Sequence, residues 1–138
     1  IHFLAKYELF KNSIFAKILK SIGVIPIRRG KPDRKALRKS FKVLKEEKVL
    51  GLFPEGTRNK PGHMGKAKSG ATLIALKSKS PILPVGIVNI NNKEKTKVSI
   101  GKPINLEEHY NSKLSRAEKK EIGQHIMSKI KNEIEKVK

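Results

Sequence analysis

The hydrophobic pattern of this chain switches repeatedly between the period of a strand and the period of a helix, and this alternation restricts the fold most. Short apolar runs bounded by turn residues predict strands, whereas apolar residues that recur every three or four positions predict amphipathic helices. Because the two kinds of segment alternate, we expect an α/β fold with a mostly parallel or mixed sheet covered by helices. Strands are predicted at residues 24–27, 49–53, 82–90 and 98–101, and helices at residues 14–22, 33–44, 67–77 and 115–134.

The last of these helices has the clearest start signal. Ser115 and Glu118 have the spacing of a capping box, in which each side chain bonds the backbone N–H of the other residue. Apolar residues then recur every four positions along an otherwise charged segment, which predicts packing against the edge of the sheet. A basic amphipathic helix that lies on a membrane is the alternative. The apolar positions are Ile122, Ile126, Ile130 and Ile134.

Residues 53–58, Phe-Pro-Glu-Gly-Thr-Arg, carry the strongest functional signal, because they directly follow a short apolar run. Open α/β sheets bind their ligands at the carboxyl ends of the strands. Arg58 offers a planar fork suited to phosphate oxygens, and Gly56 lets the backbone come close to a ligand. Thr57 adds a small donor, and Glu55 can hold the guanidinium or accept from a substrate hydroxyl. In the alternative interpretation, Glu55 and Arg58 simply pair with each other at the surface.

Four segments, in order along the chain, resemble the sequence blocks of the PlsC-like glycerolipid acyltransferases. Residues 23–29, Gly-Val-Ile-Pro-Ile-Arg-Arg, resemble the second block, which ends in an arginine, here Arg29. Residues 53–58 resemble the third block, and residues 83–85, Leu-Pro-Val, resemble the fourth. Between them, Lys68 and the following Ser-Gly-Ala resemble a Lys-x-Gly stretch of the family. The resemblance implies a glycerol-3-phosphate acyltransferase-like fold and an enzyme of phospholipid biosynthesis.

The catalytic signature of that family, His-x-x-x-x-Asp, does not occur in this sequence. Asp33 is the only aspartate, and none of the four histidines precedes it at that spacing. Residues 3–10 resemble the segment that closely follows the signature in relatives. The resemblance therefore implies that the catalytic dyad lies upstream of Ile1. We expect residues 1–138 to form a single acyltransferase domain whose N-terminal part is missing, and to bind substrate without turning it over.

The implied reaction transfers a fatty acyl group from a thioester to the free hydroxyl of 1-acylglycerol-3-phosphate, giving phosphatidic acid. Glycerol-3-phosphate itself stays open as the acceptor. By the same resemblance, Arg58 and Arg29 would grip the acceptor phosphate, while Gly56 and Thr57 would shape the site around its glycerol. Lys68, at the start of a predicted helix, would add a third positive element.

The resemblance implies neither a metal nor a tightly bound cofactor, since the acyl group arrives as a thioester of coenzyme A or acyl carrier protein. The expected partners are therefore a lysophospholipid acceptor, one of these carriers and an anionic membrane surface, without nucleic acid. The longest apolar run is too short to span a bilayer. We expect peripheral attachment at the cytoplasmic face of the cell membrane, or an anchor in missing N-terminal sequence.

Composition agrees with one domain and leaves the origin of the charge open. A chain of 138 residues that is 37% hydrophobic supports a single core. The sequence has no cysteine, which excludes disulfides and thiolate metal sites, and its four histidines lack metal-ligand spacing. The net charge of +20 comes with 26 lysines against six arginines. Such a charge indicates solvated lysine-rich faces, attraction to acidic headgroups, or nucleic-acid binding.

Two other functional classes compete with the enzyme hypothesis. A basic nucleic-acid-binding module is suggested by the charge and by residues 62–65, Gly-His-Met-Gly, which match the Gly-x-x-Gly loop of KH domains. However, an aromatic content of 5% leaves few rings on which bases could stack. The second alternative is a non-catalytic lipid-binding relative that has lost its dyad.

Overall fold

The chain divides into two compact units, Ile1–Gly56 and Thr57–Lys138. In the first unit, short strands alternate with helices, as the hydrophobic periods predicted. A short 3₁₀ turn at Tyr7–Phe10 follows the first strand. The computed structural model describes residues 1–28, 30, 32–57, 63–90 and 94–138. The elements of the first unit are β1 (His2–Lys6), α1 (Ser13–Ser21), β2 (Ile25–Ile27), α2 (Arg34–Lys45) and β3 (Leu50–Gly51).

The three strands of this unit form one parallel sheet in the order β2-β1-β3, so the first strand of the chain lies in the middle. Leu4 pairs with Ile25 on one side of β1, and His2 pairs with Leu50 on the other. Parallel pairing needs a long crossover connection, which the intervening helices provide. The predicted class, an α/β fold with a mostly parallel or mixed sheet and helices, is confirmed.

A small apolar core lies between this sheet and α2. Its buried members are Ile25, Ala36 and Val43, and Leu4 and Leu50 pack against them. The helix begins at Asp33, as the sequence predicted, because this side chain accepts a hydrogen bond from the Ala36 N–H at 3.0 Å. The core therefore joins all three strands to one helix.

α1 has well-formed ends but contributes little to that core. Asn12 caps its start, accepting from the backbone N–H groups of Ile14 and Phe15 at 3.0 and 3.1 Å. Gly23 ends it with a φ of +80°, a left-handed conformation that glycine adopts without a steric penalty. Ala16 is its one buried residue, so most of its predicted apolar face points away from the protein interior.

The second unit combines two helices with a two-stranded antiparallel sheet. Val85 to Val88 pair with Ile100 to Lys97 along the full length of both strands. Ile82 and Ile104 extend the pairing as an isolated antiparallel bridge. A 3₁₀ turn at Glu107–His109 precedes the last helix. The elements are α3 (Ser69–Ser78), β4 (Val85–Val88), β5 (Lys97–Ile100) and α4 (Arg116–Glu135).

The core of the second unit forms where α4 covers β4 and α3. Ile122 and Ile126 are only 6% and 5% exposed, and Ile130 packs against the same cluster. Ser115 and Glu118 form the predicted capping box. Packing of α4 on its own unit is thus confirmed, and the alternative of α4 lying on a membrane is wrong.

The close packing of α4 on the antiparallel sheet depends on two glycines. A Cβ on Gly86 would lie 2.5 Å from the backbone nitrogen of Ile134, and one on Gly101 would lie 2.8 Å from a carboxylate oxygen of Glu133. That buried carboxylate accepts from the Ser99 hydroxyl and from Lys136 Nζ, both at 2.6 Å. The two glycines therefore leave the space into which the end of α4 packs, with Glu133 hydrogen-bonded to Ser99 and Lys136.

Two predicted strands are shorter in the structure. Residues 49–53 yield only the pair Leu50–Gly51, because only these two residues are in register with β1. The flanking Val49 and Phe53 are 60% and 66% exposed. In residues 82–90 the continuous strand is confined to Val85–Val88. Pro84 lies directly before this strand and has no N–H to donate to the ladder.

Candidate functional site

The carboxyl ends of the three parallel strands meet at one edge of the first unit, because all three run in the same direction. Tyr7 follows β1, Arg28 follows β2, and Leu52 follows β3. β1 separates β2 from β3, so the turns after these two strands flank a central strand rather than being direct neighbours. This edge is where the sequence placed the candidate site.

The Pro-Glu-Gly segment after β3 forms a tight turn. The Gly56 N–H donates to the Phe53 carbonyl at 3.0 Å, which closes a four-residue turn with Pro54 in its second position. Gly56 has a φ of +65°, so a residue with a Cβ would be strained there. The segment therefore forms a hydrogen-bonded turn, in which Glu55 is half-buried and Gly56 is exposed.

The other predicted site residues are distributed over the chain. Thr57 is exposed and directly follows Gly56. Lys68 is exposed in the second unit, where it occupies the residue before the first turn of α3 with φ −76° and ψ 144°. Arg58 and Arg29 lie outside the described residues. The structure thus brings Glu55 and Gly56 together in one turn, and Thr57 directly follows it in the sequence.

The turn after β2 contains a second ordered group, formed by Arg28 and Asp33. The Arg28 guanidinium lies 4.6 Å from the centre of the Tyr7 ring, within the range of a cation–π contact. The Arg28 backbone N–H donates to Asp33 Oδ2 at 2.9 Å, while Oδ1 accepts from Ala36. These backbone hydrogen bonds, the one from Ala36 first and then that from Arg28, lower the pKa of Asp33. The carboxylate therefore joins the end of β2 to the start of α2.

A shallow cavity of about 270 Å³ lies at this turn. Both Asp33 oxygens accept backbone hydrogen bonds, so its negative charge is partly compensated. The three other charged side chains that line the cavity are cationic, which favours an anion over a cation here. The lining residues are Arg28, Pro32, Asp33, Arg34 and Lys35.

Sequence reasoning identified Asp33 only as a helix start and assigned no role to Arg28 or Tyr7. The signal for the extra hydrogen bond was the spacing of five residues between Arg28 and Asp33, across a turn that contains Gly30 at a φ of +88°. The contact with Tyr7 had no local signal, since it depends on β1 and β2 being neighbours.

The described part of the chain has neither a cluster of metal ligands nor a membrane-spanning helix. Within it, no three His, Cys, Asp or Glu side chains cluster in a way that could hold a metal ion. None of its helices combines the length and the apolar character needed to cross a membrane. The loop at 62–65 that resembles a KH loop begins at Gly62, which falls outside the described residues.

The family profile described as Acyltransferase matches residues 1–88 of this sequence. The match covers all of the first unit, the turn at Glu55 and the segment around Lys68. The chain belongs to the Acyltransferase family. The PlsC-like resemblance of the sequence blocks is confirmed.

Two curated bacterial relatives of this acyltransferase chain carry the same name. The sequence is 34% identical over 110 residues to the 1-acyl-sn-glycerol-3-phosphate acyltransferase of Bacillus subtilis, covering 75% of this chain and 54% of that protein. It is 32% identical over 142 aligned positions to the protein of the same name from Borreliella burgdorferi, covering 98% of this chain and 57% of the relative. The chain thus spans about half the length of the curated relatives it matches.

A solved structure of the family has a similar fold. The crystal structure of the 1-acyl-sn-glycerophosphate (LPA) acyltransferase PlsC from Thermotoga maritima matches with a TM-score of 0.72 at 24% identity. The match covers 99% of this acyltransferase chain and 56% of the solved chain. At this identity the likeness concerns the fold, and it supports the architecture described above.

Proposed function

We propose that this acyltransferase chain is part of an enzyme that moves a fatty acyl group from a thioester to the free hydroxyl of 1-acylglycerol-3-phosphate, giving phosphatidic acid. The observation that carries the proposal is the family match over residues 1–88, which contains every proposed site residue. Relatives named for this activity add support. The ordered turn at the carboxyl edge of the sheet is a suitable place for a substrate.

The reaction forms an ester bond between the acceptor oxygen and the acyl carbon and breaks the bond between that carbon and sulfur. A base removes the hydroxyl proton, and the sulfur leaves as a thiol once protonated. This sequence lacks the His-x-x-x-x-Asp pair of the family, so we place the base outside the 138 residues. The chain by itself is then expected to bind the acceptor without transferring the acyl group.

The proposed role of the present residues is to hold the acceptor. Arg58 and Arg29 bind the phosphate, for which a guanidinium has a matching planar fork. Gly56 and Thr57 shape the site around the glycerol, and the exposed Gly56 backbone of the turn supports this role. Glu55 accepts from a substrate hydroxyl or orients a guanidinium.

Lys68 is proposed as a further cation for the acceptor. It precedes α3, where the backbone N–H groups of the first helical turn favour an anion. The acyl donor is a thioester of coenzyme A or acyl carrier protein, and the enzyme works on an anionic membrane surface at the cytoplasmic face of the cell membrane.

Thiol release from an acyl thioester tests the proposal. It is measured with the natural full-length product, with and without 1-acylglycerol-3-phosphate, and with Arg58→Ala. Hydrogen bonds to charged groups contribute roughly 1.5–3 kcal/mol each, so we expect kcat/KM for the acceptor to fall about a hundredfold. Arg38→Ala is the matched control, because Arg38 is exposed on α2 and should leave kcat/KM unchanged.

Acceptor-dependent release that collapses only in Arg58→Ala supports both the reaction and the role of Arg58. Release that is equal in the two variants would remove Arg58 from the acceptor site. The absence of release with either acceptor and either thioester carrier would refute the enzyme hypothesis. Salt-sensitive binding of RNA by the same protein would then favour the nucleic-acid alternative.

A further inference from the structure

The outward side of α1 carries an uncovered apolar stripe. Ile14, Ile18 and Ile22 follow one another at intervals of four residues and are 71%, 52% and 62% exposed. Phe15, on the same side, is 45% exposed. Residues four apart lie above one another on a helix, so these side chains form one continuous stripe along its full length.

This arrangement differs from that of the other amphipathic helices in the described parts of the chain. α2 buries Ala36 and Val43, and α4 buries Ile122 and Ile126. α1, by contrast, buries only a small alanine and leaves its largest apolar side chains in contact with solvent. A stripe of this kind marks an interaction surface.

The charges around the stripe indicate what that surface binds. Lys11, Lys17 and Lys20 are all exposed, and no acidic residue occurs between Lys11 and Ile22. Lys17 lies between Ile14 and Ile18 in the sequence and borders the stripe. A second copy of this surface would be repelled by its own lysines. Nucleic acid would use the lysines but leave the apolar stripe unburied, whereas an anionic lipid surface satisfies both.

The 3₁₀ turn at Tyr7–Phe10 contacts α1 and adds further apolar side chains. Leu9 is 47% exposed and Tyr7 is 41% exposed. A tyrosine presents an apolar ring with a polar hydroxyl, which suits the boundary between headgroups and acyl chains. The uncovered surface therefore extends beyond a single helix.

We propose that α1 and the preceding 3₁₀ turn form a docking surface for an anionic lipid bilayer, with the isoleucine stripe inserted among the headgroups and the lysines bound to lipid phosphates. This inference rests on the proposed function, since an acceptor that carries a long acyl chain is delivered from a membrane. It adds to that function by assigning membrane contact to particular residues of this chain.

Vesicle co-sedimentation of the 138-residue chain tests the docking surface. Vesicles of equal parts phosphatidylcholine and phosphatidylglycerol are compared with vesicles of phosphatidylcholine alone. We expect binding to the anionic vesicles to weaken at least about tenfold in Ile14→Thr/Ile18→Thr. The matched control is Val98→Thr/Ile100→Thr, which removes two side chains of similar exposure, 53% and 65%, from β5 and should bind like the parent.

A second variant tests how much the lysines contribute to vesicle binding. Lys17→Gln/Lys20→Gln should weaken binding to anionic vesicles and leave the weaker binding to phosphatidylcholine unchanged, since only the first depends on lipid charge. Both lysines are exposed, so the variant keeps the apolar packing of the helix. Circular dichroism and a urea melt establish that every variant is folded before binding is measured.

Insertion itself is read from a single fluorescent label, because the sequence contains no cysteine that would compete for it. An environment-sensitive dye on Ile14→Cys should shift to the blue when anionic vesicles are added. The same dye on Gln124→Cys, an exposed position of α4, should show no shift. Equal shifts at both positions would contradict docking through α1.

Three results would overturn the proposal. The first is an equal loss of vesicle binding in the β5 control. The second is unchanged vesicle binding in both the isoleucine and the lysine variant of α1. The third is a change in the molecular mass of the isoleucine variant, measured by sedimentation, without a change in its vesicle binding. The last result would assign the stripe to contact between copies. Because these vesicles contain no acceptor and no thioester, the outcome is independent of thiol release, so docking and acyl transfer can fail separately.

Discussion

The Asp33 side chain connects two elements beside the candidate site without being one of the proposed substrate-binding residues. Its two carboxylate oxygens accept from different elements, one from Arg28 at the end of β2 and one from Ala36 in α2. The turn between them is thereby held at both ends. The capping role could be predicted from the sequence, because Asp33 follows Pro32 where a helical pattern of apolar residues begins. The contact with Arg28 could not be predicted in this way.

We predict that Asp33→Ala destabilises the chain by about 1–2 kcal/mol, because it removes a helix cap and an acceptor for the Arg28 N–H. Asp33→Asn, which keeps one acceptor oxygen, should lose less. The free energy of unfolding from urea melts measures the effect. Asn12→Ala, which removes a cap with two backbone hydrogen bonds in the same unit, is the control for the loss of capping. Equal stability of Asp33→Ala and the parent would contradict the prediction.

At the scale of elements, the helices were more predictable than the strands. Helix caps are local signals, and the helix starts at Asp33 and Ser115 were predicted from the sequence. The length of β3 depends instead on its pairing with β1, which lies far away in the sequence. Periodicity also cannot tell whether an apolar face is covered, so the exposure of the α1 stripe had no sequence signal.

Of the candidate site, the turn through Gly56 could be predicted from the Pro-Glu-Gly sequence. The roles of Arg29 and Arg58 stay predictions.

We predict that Gly86→Ala destabilises the packing of α4 on β4 by about 1–3 kcal/mol. The added methyl would lie 2.5 Å from the backbone nitrogen of Ile134, so the helix must shift. Gly70→Ala is the matched control, because no atom lies within 4 Å of its added methyl and alanine favours the helix. Urea melts of both variants measure the difference. Equal stability of the two variants would show that the sheet and α4 are less closely packed than described.

At the scale of the whole molecule, the net charge of +20 makes the few carboxylates important. Glu133 illustrates this, since hydrogen bonds first from Lys136 and then from Ser99 lower its pKa. A carboxyl whose pKa is lower in the folded state stabilises the fold as long as it is ionised. The described carboxyls with a lowered pKa are Glu8, Asp33, Glu46, Glu118, Glu133 and Glu135.

We predict that stability is constant near neutral pH and falls as the pH drops below the ordinary glutamate pKa of 4.5. In that range the unfolded chain binds more protons than the folded one, so acid favours unfolding. Repulsion among the lysines is no longer offset once the carboxylates are protonated, and this adds to the loss of stability. The urea midpoint measured across a pH series tests this. Glu133→Gln should lose less stability on acidification than the parent, and a midpoint that stays flat into acid would contradict the prediction.

The central position of β1 in the parallel sheet also sets an order of events during synthesis. β1 leaves the ribosome before its two partners, which lie around Ile25 and Leu50 and are translated later. Until then neither of these partners can cover the edges of β1, and its apolar side chains are open to contact with other nascent chains. Sheets closed by contacts so distant in sequence form slowly. The time that translation takes to pass from β1 to β3 is therefore a lower limit on how long β1 stays without both partners.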